Sequence, residues 1–215
     1  ISATTTGGIR EFVQFYYELM GPEKHADFVR FTDTAPSGEH RERIADRVGI
    51  RKYLGTISTA CSSSANALMH GAQLIKNKKL ERVICGGSEA LSKFTVNGFN
   101  TLMILDKEHC RPFDSTRNGL NLGEGAAYIV LESEIAVIRN KKTAIAELKG
   151  YGNANDAFHQ TASSPDGAGA FSAMRQALSL AQIAPKDVEY INAHGTATEN
   201  NDLSEGLGMK RLFND

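Results

Sequence analysis

Apolar residues recur along this chain in two periods, and the alternation between them predicts most of its elements. Ile9, Phe12, Val13, Tyr16 and Leu19 or Met20 fall at helical spacing, and Gly21-Pro22 stops the helix they predict. Glu23 to His40 holds Pro36, Ser37 and Gly38 and reads as loop with room for one helical turn. Glu42 to Val48 predicts a short helix closed by Gly49. Gly55 to Thr59 is β-prone and ends at Cys61 and three serines. Ala65, Leu68, Met69, Ala72 and Ile75 then build one apolar helix face. Arg82 to Cys85 is a short strand stopped by Gly86-Gly87, so strand, helix and strand form a βαβ unit that predicts a parallel sheet with a right-handed crossover.

From Ser88 to Gly125 the pattern is irregular, a length usually reserved for function. Ala126 to Glu132 reads as a buried strand, Glu134 to Lys142 as a short helix, and Ile145 to Gly150 as a further strand. Asn153 to Gly169 is polar loop. Phe171, Met174, Leu178 and Ala181 then mark a helix over 170–182. Val188 to Ala193 predicts a strand that runs into His194-Gly195-Thr196-Ala197-Thr198, and Glu205 to Phe213 begins a last helix. Strands alternating with helices place the chain in the α/β class.

Composition narrows the function classes. The 215 residues are 41% hydrophobic with a net charge of −1, so no global field favours nucleic acid or an anionic membrane. No apolar run approaches the ~18 residues of a membrane span, and nothing resembles a signal peptide. Three cysteines at irregular positions (Cys61, Cys85, Cys110) argue against a disulfide framework and for a reducing, cytoplasmic setting. The chain opens on Ile1 and ends within a helical pattern, which reads as a piece of something longer.

Two residues stand where chemistry would be done. Cys61 sits at a strand-to-helix junction, where backbone N–H groups and the helix dipole favour the thiolate. It reads either as a nucleophile or as a small buried apolar residue. His194 ends a predicted strand in a Gly/Thr-rich loop, and ligands of α/β sheets collect beyond the carboxyl ends of strands. The alternative for His194 is an ordinary loop histidine bonded to backbone. The cysteines lack zinc-site spacing, and neither Gly86-Gly87 nor Gly167-Ala168-Gly169 completes a dinucleotide fingerprint. Asp114, Arg117 and Glu124 read first as structural charges.

Three ordered blocks resemble those of the β-ketoacyl-acyl-carrier-protein synthases. Thr59-Ala60-Cys61-Ser62-Ser63-Ser64 is similar to their nucleophile motif. Arg111-Pro112-Phe113-Asp114, Arg117-Asn118-Gly119 and Gly123-Glu124-Gly125-Ala126-Ala127 resemble their RPFD…R(D/N)G…GEGA block. Asn192-Ala193-His194-Gly195-Thr196-Ala197-Thr198-Glu199-Asn200-Asn201-Asp202 resembles their NAHGTxTxxND segment, in the form seen in elongating and polyketide ketosynthases.

That resemblance implies a thiolase-like α-β-α-β-α fold made of two related halves. Residues 1–132 would be the end of the half that carries the nucleophile, and 133–215 the start of the half with His194. It implies a decarboxylative Claisen condensation, with Cys61 accepting the acyl group and His194 assisting decarboxylation. The Cys61 N–H would supply part of an oxyanion hole. Thr196 and Thr198 match positions that contact the phosphopantetheine arm, and Asp156 and His159 match a gating loop. No cofactor is implied, because phosphopantetheine arrives on the acyl carrier protein. Acyl carrier protein, acyl and malonyl thioesters and a second copy are the implied partners, with Leu54 to Thr59 as the dimer strand.

The family's lysine and second histidine lie downstream of NAHGTxT and are not in this chain. The fold is therefore expected to be truncated at both ends, and the fragment alone to condense weakly or not at all. Two other readings compete. One is a non-catalytic partner of the chain-length-factor type, and the other an unrelated cysteine hydrolase.

Overall fold

A computed structural model describes residues 1–22, 38–159 and 161–213. Most of the Glu23–His40 loop lies outside the described residues. The chain divides into two compact units, Ile1–Gly98 with Gly123–Ile145, and Phe99–Leu122 with Ala146–Asp215.

The first unit is built on a four-stranded sheet. Its strands are β1 (Ser2–Ala3), β2 (Thr56–Ile57), β3 (Arg82–Glu89) and β4 (Gly125–Glu132), in the order β2-β1-β3-β4. β1 lies parallel to both β2 and β3, so the expected βαβ unit is present, with β1 between its two strands. The sheet is mixed rather than all parallel, because β4 runs antiparallel to β3 over eight residue pairs from Arg82↔Glu132 to Glu89↔Gly125. A helix at Glu134–Arg139 (α5) follows β4 directly. Ser133 caps it by accepting the Ala136 N–H.

Two helices here follow their sequence signals closely. α1 spans Ile9–Met20. α2 spans Glu39–Val48 and ends on Gly49 at φ +72°, where the Gly49 and Ile50 N–H groups return to Asp46 and Ala45. β4 departs from expectation. It is an edge strand with Ile129 and Val130 half exposed, because its apolar run has one ladder neighbour and the Ser63–Lys76 helix packs mainly over β3. A helix at Lys93–Thr101 (α4) also occupies part of the supposed irregular stretch. Ser92 caps it by accepting the Thr95 N–H at 3.1 Å.

The helix after the cysteine, α3 (Ser63–Lys76), lies across β3. It does not bury the predicted face: Ala65 is exposed, and Leu68, Met69, Ala72 and Ile75 are only partly covered. The buried stripe is Ser63, Ala67 and Gly71, at spacing i, i+4 and i+8. A Cβ on Gly71 would come within 2.3 Å of Cys85 Sγ, so only small residues allow the helix this close to the sheet.

The second unit pairs α6 (Ala168–Ala181) with α7 (Glu199–Phe213), joined through a 3₁₀ turn at Pro185–Asp187. Their contact is close: Gly167, at φ +68°, would place a Cβ within 2.3 Å of the Ser204 carbonyl. α7 begins six residues earlier than its apolar pattern suggests. The predicted strands at 145–150 and 188–193 form no ladder among the described residues. Gly150 and Gly152 instead press on the α6 backbone at Ala177 and Ala173, keeping the two-residue period of a strand without its hydrogen-bonded neighbour. Among the described residues, no helix is long and apolar enough to cross a membrane.

Candidate active site

The turn that carries Cys61 is held by its own hydroxyls. Ala60 has φ +52°, a left-handed conformation that costs a non-glycine residue about 1–2 kcal/mol. Ser63 Oγ accepts the Thr59 N–H at 2.8 Å and donates to the Ala60 carbonyl at 2.6 Å. Ser62 Oγ donates back to the Thr59 carbonyl at 2.7 Å, and Asn66 Nδ2 donates to Thr59 Oγ1 at 2.8 Å. These bonds offset the strain and project Cys61, an exposed thiol, from the sharp bend just before α3. Because Ser62 bonds backwards, it makes no side-chain cap at the helix start beside Cys61. The other sheet cysteine has the opposite setting: burial pushes the Cys85 thiol pKa up.

In the second unit His194 sits on a loop that Glu205 captures from α7. The Glu205 carboxylate accepts the N–H groups of His194 at 2.7 Å and Gly195 at 3.0 Å. Gly195 (φ +53°) and Ala197 (φ +59°) are both left-handed, so the chain turns sharply on either side of Thr196. Thr196 and Thr198 are brought together, with their hydroxyl oxygens 2.8 Å apart. Ala197 is fully buried and donates its N–H to Asp202 Oδ1 at 3.1 Å. His194 itself is exposed.

Asp202 joins two of the three sequence blocks. Its buried carboxylate also accepts the Phe113 N–H at 2.7 Å and lies 3.8 Å from Arg117 Nε. Arg117 donates further to the Asp114 and Glu199 carbonyls. Asp114 accepts the N–H and hydroxyl of Thr116, and Glu124 Oε2 accepts the Leu91 N–H. The charges of the RPFD region are therefore structural. Sequence reading missed Asp202 and Glu205 as positioning groups. The available signal was their i, i+3 spacing at the start of a helix just after the histidine loop.

Asp156 and His159 lie in the loop before α6. Asp156 accepts the Ser164 N–H at 2.8 Å and the Phe158 N–H at 3.2 Å, and those bonds hold its carboxyl below the usual aspartate range. His159 Nδ1 accepts the Thr161 N–H at 3.2 Å. Cys61 belongs to the first unit, and His194, Thr196, Thr198, Asp156 and His159 belong to the second.

A pH dependence follows from Asp156. Its folded pKa is lower than its unfolded one, so its contribution to stability is complete above the unfolded value and is lost as pH falls through the folded one. The 156–164 loop is therefore expected to loosen below about pH 4. Amide exchange at Phe158 and Ser164, corrected for intrinsic rates, should quicken there. Equal protection at about pH 3 and about pH 6 would contradict this.

The model of the β-ketoacyl synthase N-terminal domain matches residues 17–136, and that of the C-terminal domain matches residues 145–215. This chain belongs to the β-ketoacyl synthase family. A 3-oxoacyl-[acyl-carrier-protein] synthase 2 of Staphylococcus aureus is 33% identical over 215 residues, covering 96% of this chain and 53% of that protein. A ketosynthase in complex with its chain length factor, from Xenorhabdus doucetiae, superposes with a TM-score of 0.87 at 31% identity, over 99% of this chain and 51% of that one. A type II PKS acyl-carrier protein in complex with its ketosynthase bound to the hexaketide gives a TM-score of 0.91 at 25% identity, over 100% and 56%. The fold is thus the thiolase-like α/β fold of ketosynthases. The chain spans about half the length of the synthases it matches.

Proposed function

We propose that this chain is the Cys61- and His194-bearing part of a 3-oxoacyl-[acyl-carrier-protein] synthase acting in fatty acid or polyketide synthesis. The observation that carries the reading is the exposed Cys61 thiol on its strained turn at the start of α3, in a chain that matches both domains of the family. The Cys61 thiolate attacks the carbonyl of an acyl-carrier thioester, the bond to the carrier sulfur breaks, and that thiol leaves with a proton. Malonyl-carrier protein then loses carbon dioxide, and the electrons of the broken C–C bond form an enolate. His194 stabilises the charge developing on the enolate oxygen. The enolate carbon attacks the Cys61 thioester, and the C–S bond breaks. The 3-oxoacyl chain leaves on the carrier, two carbons longer, and the thiolate is restored.

Thr196 and Thr198 receive the phosphopantetheine arm, and Asp156 and His159 shape the loop through which substrate enters. No cofactor of the protein's own takes part. The carrier proteins named with two of the similar proteins support an acyl carrier protein as partner. The alternative, a chain-length-factor partner, is disfavoured by a thiol at the position of the nucleophile. Cytoplasmic location and a homodimer complete the reading. β2 supports the dimer, since it is an edge of the sheet with one face of its ladder open to Leu54–Thr59 of a second copy. Light scattering on the full-length protein should give a dimer, and a monomer would contradict that pairing.

The test of the reaction is mass spectrometry of the carrier after full-length protein is mixed with acyl- and malonyl-carrier proteins. A carrier-bound 3-oxoacyl chain with stoichiometric carbon dioxide is expected. Intact substrates after prolonged incubation would overturn the reading.

A further inference from the structure

The loop from Ile104 to Leu122 makes an unusual set of contacts to the threonine turn. Gly119 N–H donates to the Ala197 carbonyl at 3.0 Å, and Cys110 Sγ donates to the carbonyl of Thr196, one residue earlier, at 3.6 Å. Two consecutive carbonyls of the turn are therefore held from the same loop. Pro112 supports the turn from the side: its Cβ lies 3.2 Å from where a side chain on Gly195 would begin. Gly119 has φ +132°, and a Cβ there would come within 2.4 Å of the Ile104 carbonyl, so the loop passes too close to itself for any larger residue.

One side chain closes this loop. Asn121 Oδ1 accepts the Cys110 N–H at 2.7 Å, and Asn121 Nδ2 donates to the carbonyls of Asp106 at 3.2 Å and Glu108 at 3.0 Å. Ion pairing of Arg111 with Asp106 at 3.0 Å adds a second tie across the same loop. Asn121 thus fixes the residue that carries the thiol donor, and it stands two positions from the glycine that supplies the N–H donor.

We propose that Asn121 and Cys110 are positioning residues for the Thr196–Thr198 hydroxyl pair, acting through the clamped carbonyls of Thr196 and Ala197. The inference rests on the reading that this pair receives a pantetheine arm. It assigns selectivity for pantetheine-borne acyl donors to the Ile104–Leu122 loop. The thiol is a weak donor, so Asn121, with three bonds, carries the larger share.

The test compares two acyl donors in the full-length protein, an acyl-coenzyme A, which carries the pantetheine arm, and an acyl p-nitrophenyl ester, which lacks it. Asn121→Ala is expected to raise KM for the coenzyme A donor about fivefold and Cys110→Ala about twofold, with the ester unaffected. Cys110→Ser restores the donor and the wild-type KM, and neither alanine change adds to the loss in a Thr196→Ala, Thr198→Ala background. Equal losses toward both donors, or none, would overturn the proposal. If the wild-type protein takes an acyl group from neither donor, acyl-carrier protein replaces the coenzyme A donor; refusal of that too means the synthase reading fails, and amide exchange decides the clamp separately. Exchange at Gly119 should then quicken in Asn121→Ala, and unchanged exchange there overturns the positioning role.

Discussion

Asp202→Ala is expected to cost about 3–5 kcal/mol, the range for removing one partner from a buried charged network. The side chain is almost wholly buried, and its loss strands the N–H groups of Phe113 and Ala197 and leaves Arg117 without its counter-charge. Against a total stability of about 5–15 kcal/mol, that is a large fraction. Asp202→Asn keeps the shape but turns an NH₂ group toward one of those N–H donors, so it should lie between wild type and alanine. Because two units need not unfold together, amide exchange at Phe113 and Ala197 is a better gauge than one denaturation midpoint. Exchange at those amides within twofold of wild type in Asp202→Ala, about 0.4 kcal/mol, would show that the carboxylate does not hold the blocks together.

Cys61→Ala is expected to abolish acyl loading and condensation in the full-length protein, a loss on the order of 10⁴-fold or more. The change is sterically mild, since Cys61 is exposed and Ser62, Ser63 and Asn66 hold the turn. Stability should therefore stay within about 0.5 kcal/mol of wild type, which separates lost chemistry from lost folding. Retained acylation in this variant would mean that another nucleophile carries the acyl group.

Much of this was readable from residues alone, and the failures have physical causes. The helices at Ile9–Met20 and Ala168–Ala181 were legible because their apolar spacing lies within the segment itself. β1 was not, since Ser2-Ala3 is a strand only by lying between β2 and β3. The runs 145–150 and 188–193 have strand composition, but a ladder depends on a neighbour that local sequence does not specify. Lys93–Thr101 was hidden by Thr95, Val96, Asn97 and Gly98, all poor helix formers, and Ser92 was its only clear signal. On α3 the apolar period pointed to the wrong stripe, because the closest approach to a sheet is made by the smallest residues, Ser63, Ala67 and Gly71.

The site divides in the same way. Cys61 and His194 drew the sequence reading because a thiol and an imidazole stood at the ends of predicted strands, although 188–193 forms no ladder among the described residues. The roles of Glu205 and Asp202 were not legible, because a carboxylate that holds backbone N–H groups looks, in sequence, like any acidic residue in the first two turns of a helix. The three serines after Cys61 gained their meaning only from geometry: two of them hold the left-handed Ala60.

The central claim is that Cys61 accepts an acyl group from a carrier thioester. Peptide mass spectrometry of full-length protein quenched in acid after incubation with acyl-carrier protein tests it directly. The account predicts one acyl mass on the Cys61 peptide, lost on treatment with hydroxylamine and absent from the Cys85 and Cys110 peptides. An unmodified Cys61 peptide, or an acyl group found on either other cysteine, would contradict it.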